Sequence, residues 1–180
     1  MPIHAVTVFC GSKPGADARY ESDAAQLGKL IAEAGLKLVY GGGNKGMMSA
    51  VANAALQNGG EVTGVIPEIL VQWEQQHTGL TELIITTTIH ERKKLLYELC
   101  DAAIVLPGGY GTLDELFEML TWNQLNIHNK KIFMLNTAGY YHHLEAHIGK
   151  MEEEGFLYTS ADHRIVFSDT PELLLRNMGI

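Results

Sequence analysis

The chain of 180 residues contains little cysteine and few basic side chains. Its two cysteines, Cys10 and Cys100, stand outside any CxxC or metal-ligand spacing, and a chain of this length can build a core without disulfides. With 13 Lys and Arg against 21 Asp and Glu, the formal net charge is -8, which would repel a phosphodiester backbone. We therefore expect no disulfide framework, no metal site and no nucleic-acid partner.

Long hydrophobic runs are also missing. No apolar stretch approaches the roughly 20 residues that a membrane-spanning helix needs, so we expect no membrane partner. The segment from Met1 to Phe9 has no basic residues ahead of its apolar part, and polar residues follow from Gly11, which differs from a secretory signal. These absences predict a cytoplasmic protein. With 46% hydrophobic residues and no biased tract, residues 1–180 are expected to form a single domain.

Short runs rich in valine, isoleucine and leucine recur along the chain. They are continuous rather than alternating, as is typical of strands that are buried on both faces of a sheet. Segments with helical spacing of apolar residues separate them. This alternation predicts a Rossmann-like three-layer α/β fold with a mainly parallel sheet of about seven strands. The runs are Ala5 to Phe9, Leu36 to Tyr40, Val62 to Ile66, Leu83 to Thr87, Ala103 to Leu106, Ile132 to Leu135 and Ile165 to Phe167.

Three of these runs are followed by glycine-rich segments, at residues 10–15, 41–46 and 107–112. Ligands of such sheets bind where loops leave the carboxyl ends of the strands. Glycine lets backbone N–H groups approach an anion closely, and a following helix N-terminus adds positive charge. The three loops together therefore predict a phosphate site, although the first one alone could equally be a tight turn. In the first two loops the candidate phosphate-binding residues are Gly11, Ser12, Gly42 and Gly43.

A dinucleotide site is a competing interpretation of the second loop. Gly41, Gly43 and Gly46 match the pattern G-x-G-x-x-G between a strand and a helix. That pattern also requires an acid for the ribose, and Glu61 opens the next predicted strand instead of closing it. Glu61 is thus expected at the wrong edge of the sheet. A mononucleotide is favoured over a dinucleotide.

The third loop leads into an acidic helix start. Thr112 and Glu115 fit a capping box, in which Thr112 caps the helix and Glu115 reaches back to it. A helix N-terminus that holds phosphate, however, disfavours the crowding of Asp114, Glu115 and Glu118 near the anion. A carboxylate there could instead stabilise the positive charge that develops at C1' of a ribose as its base departs. Phosphate on the loop and a carboxylate at the sugar fit one ligand, a nucleoside 5'-monophosphate.

Arg92 interrupts an apolar stripe on another predicted helix. At helical spacing it shares a face with Ile89 and Leu96, where a guanidinium needs a partner. It could pair with a carboxylate at the edge of the core, or its forked donors could bind phosphate or orient a carboxylate. Both interpretations stay open on the sequence.

These residues give the chain a resemblance to a known family. It resembles the Lonely Guy (LOG) family of cytokinin riboside 5'-monophosphate phosphoribohydrolases from the first strand to about Phe156. The resemblance rests on Glu91-Arg92-Lys93 and on the segment from Pro107 to Glu115, with support from Gly41-Gly42-Gly43, Val65-Ile66-Pro67 and Thr121-Trp122. It implies hydrolysis of an N6-substituted or plain adenosine monophosphate to free base and ribose 5-phosphate, without a cofactor.

The resemblance also implies residue roles and an assembly. Arg92 and Glu115 would be the catalytic pair. The family is at least dimeric, and the segment from Leu113 to Leu125 is apolar on almost every side, which fits burial either against a second subunit or within one subunit. We therefore predict a homodimer. The substrate site would comprise Glu74, Arg92, Lys93, Gly108, Gly109, Tyr110, Gly111, Thr112, Leu113, Asp114, Glu115 and Thr121.

A decarboxylase and a non-catalytic carrier are the alternative interpretations of this sequence. Members of the family have been labelled lysine decarboxylases, but no lysine of this sequence has a context that suggests a pyridoxal Schiff base. A non-catalytic carrier of a nucleotide or of molybdenum cofactor could share the fold. Such a carrier would need the glycine loops but neither Arg92 nor Glu115.

Overall fold

A computed structural model describes residues 2–158 and 164–180, without the side chains of residues 72–74. Seven strands form one sheet in the order β4-β3-β2-β1-β5-β6-β7, and every neighbouring pair is parallel. The predicted sheet is thereby confirmed. The strands are β1 (Ala5–Phe9), β2 (Lys37–Tyr40), β3 (Val62–Pro67), β4 (Glu82–Thr86), β5 (Ala102–Val105), β6 (Ile132–Leu135) and β7 (Ile165–Ser168).

Helices cover both faces of the sheet. They are α1 (Ala18–Glu33), α2 (Gly46–Gln57), α3 (Glu68–Glu74), α4 (Ile89–Glu98), α5 (Tyr110–Gln124), α6 (His142–Glu153) and α7 (Pro171–Met178). One hydrophobic core joins one face of the sheet to α1, α2 and α7, and a second core joins the other face to α4, α5 and α6. The predicted Rossmann-like three-layer architecture is confirmed. No helix in the described ranges is both long and apolar enough to cross a membrane.

The central strands are buried on both faces because successive side chains point in opposite directions. In β1, Val6 and Val8 enter the first core, whereas Phe9 enters the second. The expectation of burial on both faces fails for β4. This strand lies at the edge of the sheet, and the side chain of Ile85 is 52% exposed.

The chain reverses its direction of travel across the sheet between β1 and β5. From β1 the sheet grows outward through β2, β3 and β4, and it then continues from the other side of β1 through β5. Connections on opposite sides of such a switch point leave a crevice at the carboxyl ends of the two strands. The loops after β1 and β5 meet there, since the N–H of Gly11 donates a 3.1 Å hydrogen bond to the carbonyl of Pro107.

Candidate active site

A cleft of about 540 Å³ opens at this switch point. Parts of all three glycine loops contribute to its walls, together with one residue of α4 and the start of α5. Its lining comprises Val8, Phe9, Cys10, Gly11, Ser12, Lys13, Gly15, Tyr20, Gly41, Met47, Met48, Arg92, Pro107, Gly108, Gly109, Tyr110, Gly111, Thr112, Glu115 and Tyr140. Its size lies within the range of small-molecule sites.

The loop after β5 presents the start of a helix to this cleft. The N-cap of α5 is Gly109, which makes no side-chain capping bond, and Thr112 is a buried residue inside the first turn. The interpretation of Thr112 as the cap of a capping box is therefore wrong. Helix geometry leaves the N–H groups of Tyr110, Gly111 and Thr112 without intrahelical acceptors. These N–H groups and the positive end of the helix make the loop suited to an anion.

Gly108 is held in a very narrow space. A Cβ atom built on it would lie 2.1 Å from Oγ1 and 2.7 Å from Cβ of Thr112, and 2.9 Å from the backbone nitrogen of Gly11. The corresponding positions on Gly109 and Gly111 meet no atom within 4 Å. Only the first of these three glycines is thus required by packing.

Arg92, from helix α4, also lines the cleft. Its side chain is 8% exposed, Nε donates to the carbonyl of Val65 at 3.1 Å, and Nη2 donates to the carbonyl of Gly41 at 3.0 Å. The carbonyl of Val65 in β3 and that of Gly41, just after β2, therefore fix the fork of the guanidinium. This burial does not fit a snorkelling Arg92, and pairing with a carboxylate at the edge of the core stays open.

The first turn of α4 holds the backbone of Arg92 in place. The side chain of Thr88 caps this helix by accepting from the N–H of Glu91, and the carboxylate of Glu91 accepts from the N–H of Thr87. These bonds satisfy backbone donors that would otherwise lack partners.

Different faces of α5 serve different purposes. Every third or fourth residue packs on the sheet, namely Thr112, Leu116, Met119 and Asn123. Glu115 lies beside this face near the first turn and lines the cleft with Arg92. The acid and the guanidinium, from two adjacent helices, thus share a wall of one cleft.

Lys93, Asp114 and Leu113 do not line the cleft. Nζ of Lys93 lies 3.2 Å from a carboxylate oxygen of Asp114 and 3.1 Å from one of Glu118, which ties α4 to α5. Partial burial alone would lower the pKa of Lys93, but these two carboxylates outweigh it and raise the pKa. Substrate contacts by Lys93, Asp114 and Leu113 therefore stay predictions. In the structure, Lys93 links α4 to α5 through its two ion pairs.

Thr121 lies in a second, smaller groove. This groove of about 100 Å³ runs between α5 and α6, and it is also lined by Phe117 and Ile148. The hydroxyl of Thr121 donates to the carbonyl of Phe117, one turn earlier. A substrate contact by Thr121 stays a prediction. The side chain of Glu74, at the end of α3, lies outside the described part of the structure.

Gly42 and Gly43 are also absent from the cleft wall, although Gly41 lines it. The carbonyl of Gly42 accepts from the N–H of His77, and Gly43 forms an antiparallel bridge with Gln76. Gly42 and Gly43 are thus paired with the segment that follows α3 and not with the cleft. Glu61 is exposed before β3, at the opposite edge of the sheet, as its place in the sequence predicts.

Several cleft residues were not singled out from the sequence. The most notable are Tyr20 in α1 and Tyr140 after β6, whose rings meet edge to face at 5.7 Å. The aromatic pair Tyr140-Tyr141 lies in the loop after the buried strand β6, at the edge where ligands bind in such folds. That position was the available sequence signal. Met47 and Met48, at the start of α2, add apolar side chains to the cleft wall.

Among the described residues, no group of three His, Cys, Asp or Glu side chains could hold a metal ion. Lys13 and Arg92 are the basic side chains that the described cleft wall provides, and Glu115 is the carboxylate. The cleft therefore combines backbone N–H groups and side-chain hydroxyls with two basic groups, one of which is a fixed guanidinium, and one carboxylate. This set can hold an anion at one end and stabilise positive charge beside it.

Comparisons with known proteins agree on a family. The family model described as a possible lysine decarboxylase matches residues 48–178. A cytokinin riboside 5'-monophosphate phosphoribohydrolase of Rhodococcoides fascians is 47% identical over 162 residues, which cover 89% of this chain and 82% of that protein. A cytokinin riboside 5'-monophosphate phosphoribohydrolase of Arabidopsis thaliana is 40% identical over 173 residues, which cover 96% of this chain and 81% of that protein.

Solved structures resemble the fold as a whole. A molybdenum cofactor binding protein of Rippkaea orientalis has a TM-score of 0.75 at 23% identity and covers 99% of this chain and 97% of its own. The molybdenum cofactor carrier protein of Chlamydomonas reinhardtii has a TM-score of 0.74 at 19% identity, with the same coverage. At such low identity these likenesses show the fold alone.

Proposed function

The chain belongs to the family described as possible lysine decarboxylase, in which its curated relatives are phosphoribohydrolases of the LOG type, and from this membership we propose its reaction. The protein is an enzyme that hydrolyses the N-glycosidic bond of adenosine 5'-monophosphate or its N6-substituted, cytokinin-type derivatives. The products are the free base and ribose 5-phosphate. The observation that carries the proposal is the meeting of Arg92, Glu115 and the loop 107–112 in one cleft.

The loop after β5 is the proposed 5'-phosphate site. The first turn of α5 offers N–H groups without intrahelical acceptors, and the helix dipole adds positive charge at the same place. The tight packing of Gly108 against the loop after β1 brings Gly11 and Ser12 beside it. A phosphate there would leave the ribose to extend along α5 toward Glu115 in the second turn of the helix.

Glu115 is the proposed group that acts on the ribose. When the bond between C1' and the base breaks, its electron pair leaves with the base and C1' becomes positively charged. A carboxylate beside C1' stabilises that charge, and water then supplies the hydroxyl group of ribose 5-phosphate while a proton goes to the base. Arg92, fixed by the carbonyls of Gly41 and Val65, is the proposed partner that orients either Glu115 or a ligand oxygen.

Two other activities have less support. The description of the family model names a decarboxylase, but the curated relatives of 40 to 47% identity bear the name of a phosphoribohydrolase. Carrier proteins share the fold only, at 19 to 23% identity. A carrier would also have no use for a fixed arginine and a carboxylate on the wall of its phosphate cleft. Hydrolysis fits both features.

The direct test is to incubate the purified protein with adenosine monophosphate and with isopentenyladenosine monophosphate, and to quantify free base and ribose 5-phosphate by chromatography. The variant Glu115→Gln keeps the size of the side chain but removes its charge. We expect it to bind the nucleotide within about threefold of the unchanged protein and to lose at least about 100-fold in kcat. Full hydrolysis by this variant would rule out the proposed role, and tight binding without release of base by the unchanged protein would favour a carrier.

We further propose that two copies of the chain associate through the C-terminal end of α5 and the turn that follows it. Leu125 and Ile127 are 59% and 57% exposed there, whereas Leu113 and Leu120 of the same helix pack against the second core. Apolar side chains so exposed on neighbouring positions favour burial against a partner. A homodimer of single-domain subunits, residues 1–180, is the proposed form.

A cytoplasmic location is part of the same proposal. Cys10 and Cys100 are the two cysteines of the chain, and both are buried. Burial raises the pKa of the Cys100 thiol, which makes it a poor thiolate. So low a cysteine content suits a reducing compartment.

A further inference from the structure

We propose that Tyr140 is a positioning residue of the phosphate loop, whose hydroxyl sets the direction of the N–H of Gly109. The hydroxyl of Tyr140 donates a 2.6 Å hydrogen bond to the carbonyl of Gly108. Tyr140 also lines the cleft, and its side chain comes from the loop after β6, 32 residues further along the chain. This inference rests on the proposed function of the loop as a phosphate site.

The effect on Gly109 follows from the geometry of the peptide bond. In a planar trans peptide, the C=O of one residue and the N–H of the next point in opposite directions. A donor that holds the carbonyl of Gly108 on one side therefore holds the N–H of Gly109 on the other. The N–H of Gly11 does the same one residue earlier, because it holds the carbonyl of Pro107 and so directs the N–H of Gly108.

A second tyrosine anchors the start of the loop. The hydroxyl of Tyr141 donates a 2.6 Å hydrogen bond to the carbonyl of Leu106. Three consecutive carbonyls, those of Leu106, Pro107 and Gly108, are thus each held by a donor from another loop. Pro107 has no N–H, so the bond to Leu106 fixes the position of the loop, whereas the other two bonds also direct N–H groups.

The loop after β6 is built to deliver these hydroxyls. A 3₁₀ turn at Thr137–Gly139 has positive φ at Ala138 and Gly139, and the side chain of Asn136 accepts from the N–H of Tyr141 at 2.7 Å. The ring of Tyr140 meets Tyr20 edge to face at 5.7 Å and Tyr141 at 4.9 Å. The ring is thus held from two sides, and its hydroxyl has little freedom to leave the carbonyl.

Tyr140 differs from Tyr141 in a way that makes it testable. Tyr141 is 2% exposed and belongs to the core, so loss of its hydroxyl would disturb folding. Tyr140 is 44% exposed, so Tyr140→Phe leaves a solvated edge and the same ring contacts. Its effect can therefore be read on the ligand rather than on the fold.

The experiment compares a phosphorylated with an unphosphorylated ligand. In a Glu115→Gln background, which prevents turnover, isothermal calorimetry measures Kd for adenosine monophosphate and for adenosine with and without Tyr140→Phe. We expect Kd for adenosine monophosphate to rise about five- to tenfold, as for the loss of one oriented hydrogen bond, and Kd for adenosine to change less than twofold. With Glu115 restored, KM for adenosine monophosphate should rise by more than kcat falls.

The matched control is Tyr158→Phe, in which a tyrosine that is 86% exposed and outside the cleft loses its hydroxyl. It should leave both Kd values unchanged. Equal affinity of Tyr140→Phe and its parent for adenosine monophosphate, or equal weakening for both ligands, would overturn the inference. If the unchanged protein binds the nucleotide but releases no base, the proposed reaction fails while the binding comparison still decides the role of Tyr140.

Discussion

The three glycines of the loop after β5 should respond very differently to alanine. Gly108→Ala places a methyl group where Oγ1 and Cβ of Thr112 and the backbone nitrogen of Gly11 lie 2.1, 2.7 and 2.9 Å away. Gly109→Ala and Gly111→Ala place the same methyl group where no atom lies within 4 Å. The same chemical change thus meets either a clash or open space.

The size of the effect follows from what would have to move. Thr112 is 4% exposed and lies within the first turn of α5, so its side chain can move away from a new methyl group only by giving up buried contacts. The nitrogen of Gly11 belongs to the backbone and is tied to Pro107. Overpacking of this kind costs about 1–3 kcal/mol, and the participation of backbone places Gly108→Ala in the upper part of that range.

The controls are expected to cost less than Gly108→Ala. Gly109 has a φ of -95°, which alanine adopts without strain, but alanine is a poorer N-cap than glycine, so Gly109→Ala should cost about 0.5–1 kcal/mol. Gly111 lies inside the helix, where alanine is favoured by up to about 1 kcal/mol, so Gly111→Ala should stabilise slightly.

Urea unfolding followed by circular dichroism measures these differences, at one fixed protein concentration because the proposed dimer links stability to concentration. A free energy of unfolding of Gly108→Ala within about 0.5 kcal/mol of the unchanged protein would refute the packing argument. So would a Gly109→Ala variant that is as unstable as Gly108→Ala. If Gly109→Ala stays stable but loses affinity for adenosine monophosphate, the ligand lies against that glycine.

Three further perturbations test other parts of the molecule. Arg92→Lys replaces a fork that donates to two carbonyls by a compact ammonium group, and we expect kcat/KM for base release to fall at least about tenfold, with no loss expected for the exposed control Arg19→Lys. Burial, followed by the charge of Lys130, lowers the pKa of His128 to about 4 from 6.5, so stability should fall as pH falls from about 6.5 to about 4, and His128→Asn should flatten that fall in pH-dependent urea titrations. Leu125→Glu adds a charge at a 59% exposed position, and light scattering should then show a monomer if the C-terminal end of α5 forms the dimer, whereas an unchanged mass would exclude this surface.

The fold was largely predictable because its signals are local. A strand buried on both faces needs a continuous apolar run, and all seven runs coincide with strands to within one or two residues at each end. The exposure of Ile85 could not be predicted, since an edge strand and a central strand carry the same kind of run. Strand order, which decides the edges, depends on contacts between distant segments.

The start of α5 shows why local patterns can mislead. Thr112 and Glu115 fit a capping box by spacing alone, but the helix begins at Tyr110 with Gly109 as its cap. Thr112 is instead buried within the first turn and packs against Gly108, a contact that the spacing of a capping box does not reveal.

The sequence by itself determined the alternation of strands and helices, the glycine loops at the ends of strands, and Arg92 and Glu115 as candidate chemistry, because each is written in periodicity or in a short motif. Only the tertiary structure decided which of these meet. The placement of β5 beside β1 joins Gly108 to Gly11, the packing of α4 brings Arg92 to the carbonyls of Gly41 and Val65, and the loop after β6 brings the hydroxyl of Tyr140 to the carbonyl of Gly108. The hydrogen bonds of Arg92 and Tyr140 join residues that are 27 to 51 positions apart in the sequence, and no local pattern encodes them.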